Sequence, residues 1–175
     1  MSAISFLESI ACDLGVVHGV KGAAVFSRCE RYRFALVREW CPELGSVAFV
    51  GLNPSTADQD CDDPTVRRCI EFARRWGFGS MFMLNAHGFR STDPRGMRSV
   101  ADAVGPQNEF YIRAVSGFVG RVVVAWGNHC SEEHQRRVMG WCGRPVLCFA
   151  VTKTGRPKHP LYVRGDVEPQ VFCKK

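Results

Sequence analysis

Short apolar runs separated by amphipathic stretches set the pattern of this chain. Val47–Val50, Met81–Leu84, Val122–Ala125 and Val146–Ala150 are apolar at every position. A run without alternation suits a strand buried on both faces, and helices between such runs make the strands parallel. The helix after the first run has its own start signal: Asp63 as N-cap and Pro64 at the first helical position. Its inward stripe is predicted as Val66, Cys69, Ile70, Ala73 and Trp76, with Arg67, Glu71 and Arg74 opposite. Gly105-Pro106 opens a second helix, and Ser131 caps a third. Upstream, residues 2–13 form a short helix with Ile4, Leu7 and Ile10 on one side. Ala23–Ser27 and Arg33–Arg38 flank a polar turn at Cys29–Arg31 and predict a hairpin at one sheet edge. The expectation is a single α/β domain over residues 1–175, with a central, mostly parallel sheet of about four strands.

Each apolar run leads into a polar, glycine-bearing loop. The first is succeeded by Gly51-Leu52-Asn53-Pro54-Ser55-Thr56-Ala57-Asp58, the second by Asn85-Ala86-His87-Gly88. Trp126-Gly127-Asn128-His129 comes after the third, and the fourth leads to Thr152 through His159-Pro160. In a parallel sheet these loops share the carboxyl edge, where open α/β folds bind their ligands. Any one of them is explained by a turn; four together predict a crevice lined by Asn53, Asn85, Asn128 and His159.

Composition and charge add a partner. Over 175 residues, 46% hydrophobic and 23% charged content excludes a disordered tail, a fibre or a coiled coil. No apolar run approaches the roughly 20 residues that span a bilayer. The first 17 residues carry Glu8 and Asp13 and no basic residue, unlike a secretory signal, so a cytoplasmic monomer is expected. The net charge of +6 suits a polyanion. Between Val151 and Gly165 lie Lys153, Arg156, Lys158 and Arg164 without an acid, and Tyr162 among them, as a phosphate-holding loop would require. Arg67, Arg68, Arg74 and Arg75 read as a solvated helix face. The nine cysteines contain no C-x-x-C pair, so neither a metal nor another cofactor is implied.

From about Phe26 to Tyr162 the chain resembles a bacterial and phage family catalogued as domain of unknown function 1643. The matching elements include Phe26-Ser27, Tyr32-Arg33, Gly51 through Asp58, Asp62-Asp63-Pro64-Thr65, Asn85, Asp93-Pro94, Gly105-Pro106, Ala125-Trp126-Gly127 and His159-Pro160-Leu161. More remotely, the order of segments is similar to the uracil-DNA glycosylase superfamily. Gly51-Leu52-Asn53-Pro54 resembles the Gly-Ile-Asn-Pro-Gly motif of its mismatch-specific branch, with Ser55 in place of the last glycine. Leu84-Asn85 resembles the base-reading asparagine after a strand. Ala125 to His129 resembles the Leu-Trp-Gly segment, and His159-Pro160-Leu161 the start of the His-Pro-Ser loop.

That second resemblance implies a three-layer α/β/α fold and a DNA glycosylase that flips uracil or a modified pyrimidine, in repair or in phage–host conflict and phage defence. Asn53 would hold the attacking water, Asn85 would read the flipped base, and His159 would stabilise the departing base. Gly51, Pro54 and Asn128 would line the base pocket, and Leu161 or Tyr162 would wedge into the duplex. Should Asn53 be too weak a base, Asp58, Asp62 or Asp63 would activate the water. Two other readings use the same crevice: a non-catalytic module binding nucleic acid or a nucleotide, and a hydrolase of free nucleosides or nucleotides.

Overall fold

The computed structural model describes residues 1–93 and 100–173; Pro94 of the Asp93-Pro94 element lies outside them. The four apolar runs take their expected places as β4 (Ser46–Gly51), β5 (Ser80–Asn85), β6 (Arg121–Val124) and β7 (Leu147–Cys148). They pair in parallel in the order β5-β4-β6-β7. Every residue of β4 and β5 is buried, as their lack of alternation requires.

The sheet is larger and more mixed than four parallel strands. Among the described residues it has eight strands. β1 (Val17–His18), β2 (Ala23–Phe26) and β3 (Arg33–Glu39) extend it on one side, and β8 (Gln170–Val171) closes the other. β3 runs antiparallel to β5, so the predicted hairpin is joined directly to the parallel block. β8 pairs antiparallel with β7. Its two exposed residues carry no hydrophobic signature, which is why the pattern alone misses it. The strand β7 is only Leu147–Cys148, shorter than the run Val146–Ala150.

Helices cover both faces. α2 (Pro64–Arg75) lies on one, where Val66, Cys69, Phe72 and Ala73 pack against Val47, Phe49, Met81 and Met83. Its stripe differs from the expected one: Phe72 is fully buried and meets Phe149 at 4.5 Å, while Ile70 and Trp76 are only partly covered. α1 (Ala3–Ile10), α3 (Asn108–Phe118) and α4 (Glu132–Cys142) share the opposite face. There Leu7, Ile112, Val115, Val138 and Trp141 meet Ala48, Val50, Phe82 and Val122. The caps are those expected: Asp63 accepts from the N–H of Val66 at 2.8 Å, and Ser131 from that of His134 at 3.2 Å.

The loops at the carboxyl edge are bonded to one another. The N–H groups of Ala86 and His87 donate to Gly51 and Leu52 carbonyls, and that of Ser91 to Pro54, each at 2.9 Å. On the other side Gly127 donates to the Pro157 carbonyl at 2.9 Å. The edge is therefore a braced rim, with α2 starting from the first of its loops. No helix among the described residues is long and apolar enough to cross a membrane.

Candidate active site

A cavity of about 430 Å³ opens at this rim, bounded by the ends of β3, β5, β4 and β6, the N-terminus of α2 and the loop after β7. The register pair Gly51 and Asn85, the last residues of β4 and β5, lies in its lining. A Cβ on Gly51 would lie 2.7 Å from Met83 Cε and 2.9 Å from Asn85 Oδ1. Only glycine allows the Asn85 amide its position. That residue is 1% exposed, and neither Nδ2 nor Oδ1 has a partner among the described residues. Leaving a buried polar group unsatisfied typically costs about 1–3 kcal/mol. The strand end is held instead by Asn108, whose Nδ2 donates to the carbonyls of Asn85 and Ala86 at 3.0 and 3.1 Å.

Asn53 lines the same cavity, and its amide is oriented. Nδ2 donates to the carbonyls of Ser91 at 2.7 Å and Pro54 at 3.0 Å, and Oδ1 accepts no hydrogen bond among the described residues. His159 stands beyond Gly127. Its Nδ1 accepts from the N–H of Leu161 at 3.4 Å, so in the neutral ring Nε2 carries the proton as a donor. Burial lowers the imidazole below the usual histidine value, partly opposed by the Asp63 carboxylate, which favours that neutral form. Asp63 lines the cavity while capping α2 through Oδ1. Trp126, 1% exposed, forms an aromatic wall, its Nε1 donating to Gln135 Oε1 at 2.9 Å.

Asn85, Asn53, Gly51, Asn128, Lys158, His159 and Tyr162 are thus brought together on one cavity. Asn128 sits at its exposed rim, where Oδ1 accepts from the hydroxyls of Thr152 and Thr154. Tyr162 and Leu161 stand on the single turn Pro160–Tyr162, 78% and 45% exposed, but only Tyr162 reaches the lining. Pro54 is buried behind Asn53 and is not part of the lining. Asp58 also lies outside it. Its Oδ1 accepts from the N–H groups of Asp60 and Cys61, which makes it the organiser of a tight turn. Asp62 is engaged by Arg38 at 2.8 Å and Lys21 at 3.4 Å, so Asp63 is the carboxylate of the cavity.

The basic segment divides. Lys153 is exposed and Lys158 lines the cavity. Arg156 turns inward, with Nη1 donating to Gln135 at 3.2 Å, and Arg164 is paired with Asp166 at 2.9 Å. On α2, Arg68 and Arg74 lie over the rings of Phe72 and Trp40, in keeping with a packed helix surface.

Arg33 is the site residue that the sequence pattern does not single out. The pattern makes it only the first residue of a strand, yet it lines the cavity and is 2% exposed. Nη1 donates to the Ala57 carbonyl at 2.6 Å, and Nε is buried without a partner among the described residues. Burial lowers its pKa to about 10, which leaves it charged at neutral pH. Two signals are available: Tyr32-Arg33 is among the elements that resemble the family, and Arg33 is a basic residue opening the apolar run Phe34-Ala35-Leu36-Val37. Trp126 likewise stands in the sequence as a motif residue, with nothing to mark it as a wall.

Among the described residues no three His, Cys, Asp or Glu side chains are grouped to hold a metal ion. The cavity can orient a polar ring by an amide, position a water at Asn53 or Asp63, and donate a proton from His159. No curated protein and no solved structure matches the chain. A family model described as "protein of unknown function (DUF1643)" matches residues 33–161, from Arg33 on β3 to Leu161 beside the cavity mouth. That span is well over half of the sequence and holds every lining residue but Tyr162, and the chain belongs to the DUF1643 family.

Proposed function

We propose that the chain is an N-glycosyl hydrolase of the DNA glycosylase type, acting on uracil or a modified pyrimidine turned out of DNA. The observation that carries this reading is the Asn85 amide, buried and unpaired over Gly51, in one cavity with the donor-bearing His159. A pyrimidine edge offers the acceptor and donor that such an amide lacks, and turning the base out of the stack costs a few kcal/mol that its pocket contacts must offset. Helices on both faces of a sheet with a parallel centre, and the four loops in their order, support a uracil-DNA glycosylase-like arrangement.

In the reaction, the bond from C1′ to the base nitrogen breaks and its electron pair leaves with the base. Asn53 Oδ1, or Oδ2 of Asp63, holds the water whose oxygen bonds to C1′. The water's proton passes to Asp63 or to solvent, and the base nitrogen is reprotonated. His159 Nε2–H donates to the base as its charge develops. A preorganised donor of this kind is worth about 2.7–4 kcal/mol of barrier. Tyr162 and Leu161, exposed at the mouth, would fill the gap in the duplex.

One observation favours the free-nucleotide reading. Arg156 and Arg164 are engaged within the protein, which leaves fewer cations for a phosphate track. The test is incubation of the purified protein with duplex and single-stranded oligonucleotides containing uracil or modified pyrimidines, followed by alkali. Strand breaks at the modified position are expected. Breaks nowhere, with release of base from free nucleosides or nucleotides, would replace the DNA reading.

A further inference from the structure

The glycosylase reading uses Asn53, Asn85 and His159 but gives no work to Arg33. A guanidinium 2% exposed and charged at neutral pH is costly to bury, and burial is normally offset by a paired anion. None of the described carboxylates lies within ion-pair distance of it; Asp63 and Asp58 act only through space. Among the described residues its side chain makes one hydrogen bond, from Nη1 to Ala57; Nη2 makes none, and Nε is buried without a partner. That free edge presents two parallel N–H donors, the geometry that receives a carboxylate or phosphate in bidentate fashion.

Its place in the row matters as much as its charge. Across the rim the strand order is β3, β5, β4, β6, β7, so Arg33, Asn85, Gly51, Trp126 and the His159 loop succeed one another. Arg33 lies on the side of Asn85 away from His159, one strand over, a step of roughly 4.8 Å. A ring read by Asn85, with its glycosidic bond toward Asn53 and His159, directs its far side at Arg33. The cavity of about 430 Å³ also falls among pockets for drug-sized ligands, roughly 300–1,000 Å³, and is ample for a bare pyrimidine.

We propose that the ligand of this cavity carries an oxyanion, a carboxylate or phosphate, which docks on the Nε–Nη2 edge of Arg33 at the end remote from the bond to be cut. The proposal rests on the glycosylase reading for the direction of the ring. In DNA the anion is an acidic substituent on the pyrimidine; in a free nucleotide it is the 5′-phosphate, which lies on the sugar side of that bond and reaches Arg33 only with the ring turned the other way round.

Two matched sets of probes distinguish these sources. Oligonucleotides with one central uracil, thymine or 5-carboxyuracil are compared by fluorescence anisotropy at fixed salt, and deoxyuridine is compared with its 5′-monophosphate by thermal shift. One anionic probe is expected to bind roughly ten- to a hundredfold tighter than its neutral match, the range of a charge-assisted hydrogen bond. Arg33→Gln should bring that ratio close to one, and Arg33→Lys should keep only part of it. The carboxyl arm assigns the anion to the base, and the phosphate arm to a nucleotide. Wild-type protein with no preference in either set overturns the proposal, whatever the folding of the variants. So does a preference that survives in folded Arg33→Gln, or an equal slowing of plain uracil cleavage, which would make Arg33 a stabiliser of the departing base. Cleavage is scored separately. Uracil release without anion preference sinks this proposal alone, whereas anion preference without release from any probe sinks the hydrolase reading alone.

Discussion

The two walls of the cavity are built on opposite principles. On the β3–β5–β4 side the polar groups are largely buried, and the decisive atoms have no partner among the described residues: the Asn85 amide and Nε of Arg33. On the β7 side the polar groups are exposed or half-buried and mostly satisfied from within. Asn128 holds two threonine hydroxyls, and just outside the lining Arg156 holds Gln135 and Arg164 holds Asp166. Buried groups left unpaired cost stability in the empty protein and repay it only when a ligand arrives. Satisfied surface groups cost little and read little. Under the proposed reading, discrimination belongs to the first wall, and attachment and charge development to the second.

The largest expected effect tests the division at its catalytic end. Under the hydrolase reading, His159→Ala should slow single-turnover cleavage by roughly two to three orders of magnitude, the loss of one preorganised donor. Affinity for DNA should change little, because phosphate contacts carry most of it. Equal losses of binding and cleavage would make His159 part of the attachment surface, and the two walls would no longer differ in role.

A pair of asparagines tests the buried wall. Asn85→Leu removes two unsatisfied polar atoms, so the melting temperature should rise by roughly 2–6 °C, for a relief of about 1–2 kcal/mol. Choice among bases should relax in the same variant. Asn108→Leu removes two hydrogen bonds that hold the end of β5 and should lower stability by about 1–3 kcal/mol. A loss of stability in Asn85→Leu as large as that in Asn108→Leu would show the Asn85 amide to be structural.

The same contrast decides how far each wall is legible in the sequence. Strands β4, β5 and β6 announce themselves because burial on both faces demands unbroken apolar runs, and the parallel block comes with them. Asn53, Asn85 and His159 are legible because each comes after an apolar run, Asn85 as the last residue of its strand, and backbone order alone carries a residue to the rim. Strand β8 is not, since two exposed edge residues are held by pairing and not by burial. Arg33 is not, because its burial depends on β3 pairing antiparallel with β5, a contact between segments far apart in the chain. Asp58 illustrates the converse. It sits in the right loop, but its carboxylate is consumed by two N–H groups of its own turn, a detail that spacing cannot reveal.

The exposed wall can be tested by asking which of its cations are free. Lys153 and Lys158 have no carboxylate partner among the described residues, unlike Arg164, and unlike Arg156 they are not bonded to a core side chain. Replacing both lysines with Ala should flatten the dependence of log affinity on log salt by about one to two units. Replacing Arg156 and Arg164 should flatten it by less. The reverse order, measured by DNA titration from low to moderate salt, would mean that these internal bonds are given up on binding.

The smallest effect concerns the pair of histidines behind the buried wall. His87 and His134 face each other with ring centroids 4.4 Å apart, and His134 Nε2 lies 2.7 Å from the Ala86 carbonyl, next to Asn85. Burial first, and the neighbouring His134 second, lower His87 to about 4. In the unfolded chain it titrates near its ordinary value of 6.5, so between those limits the unfolded state binds more protons than the folded one. Stability is therefore retained above about pH 6.5 and falls as the pH drops toward 4. With part of the ring solvated, the loss is on the order of 1 kcal/mol, or a melting temperature lower by roughly 2–4 °C. His87→Gln cannot take up that proton and should flatten the decline. If its melting temperature tracks the same curve as the wild type between pH 7 and 4, the acid sensitivity belongs to the exposed carboxylates and the histidine pair is inert.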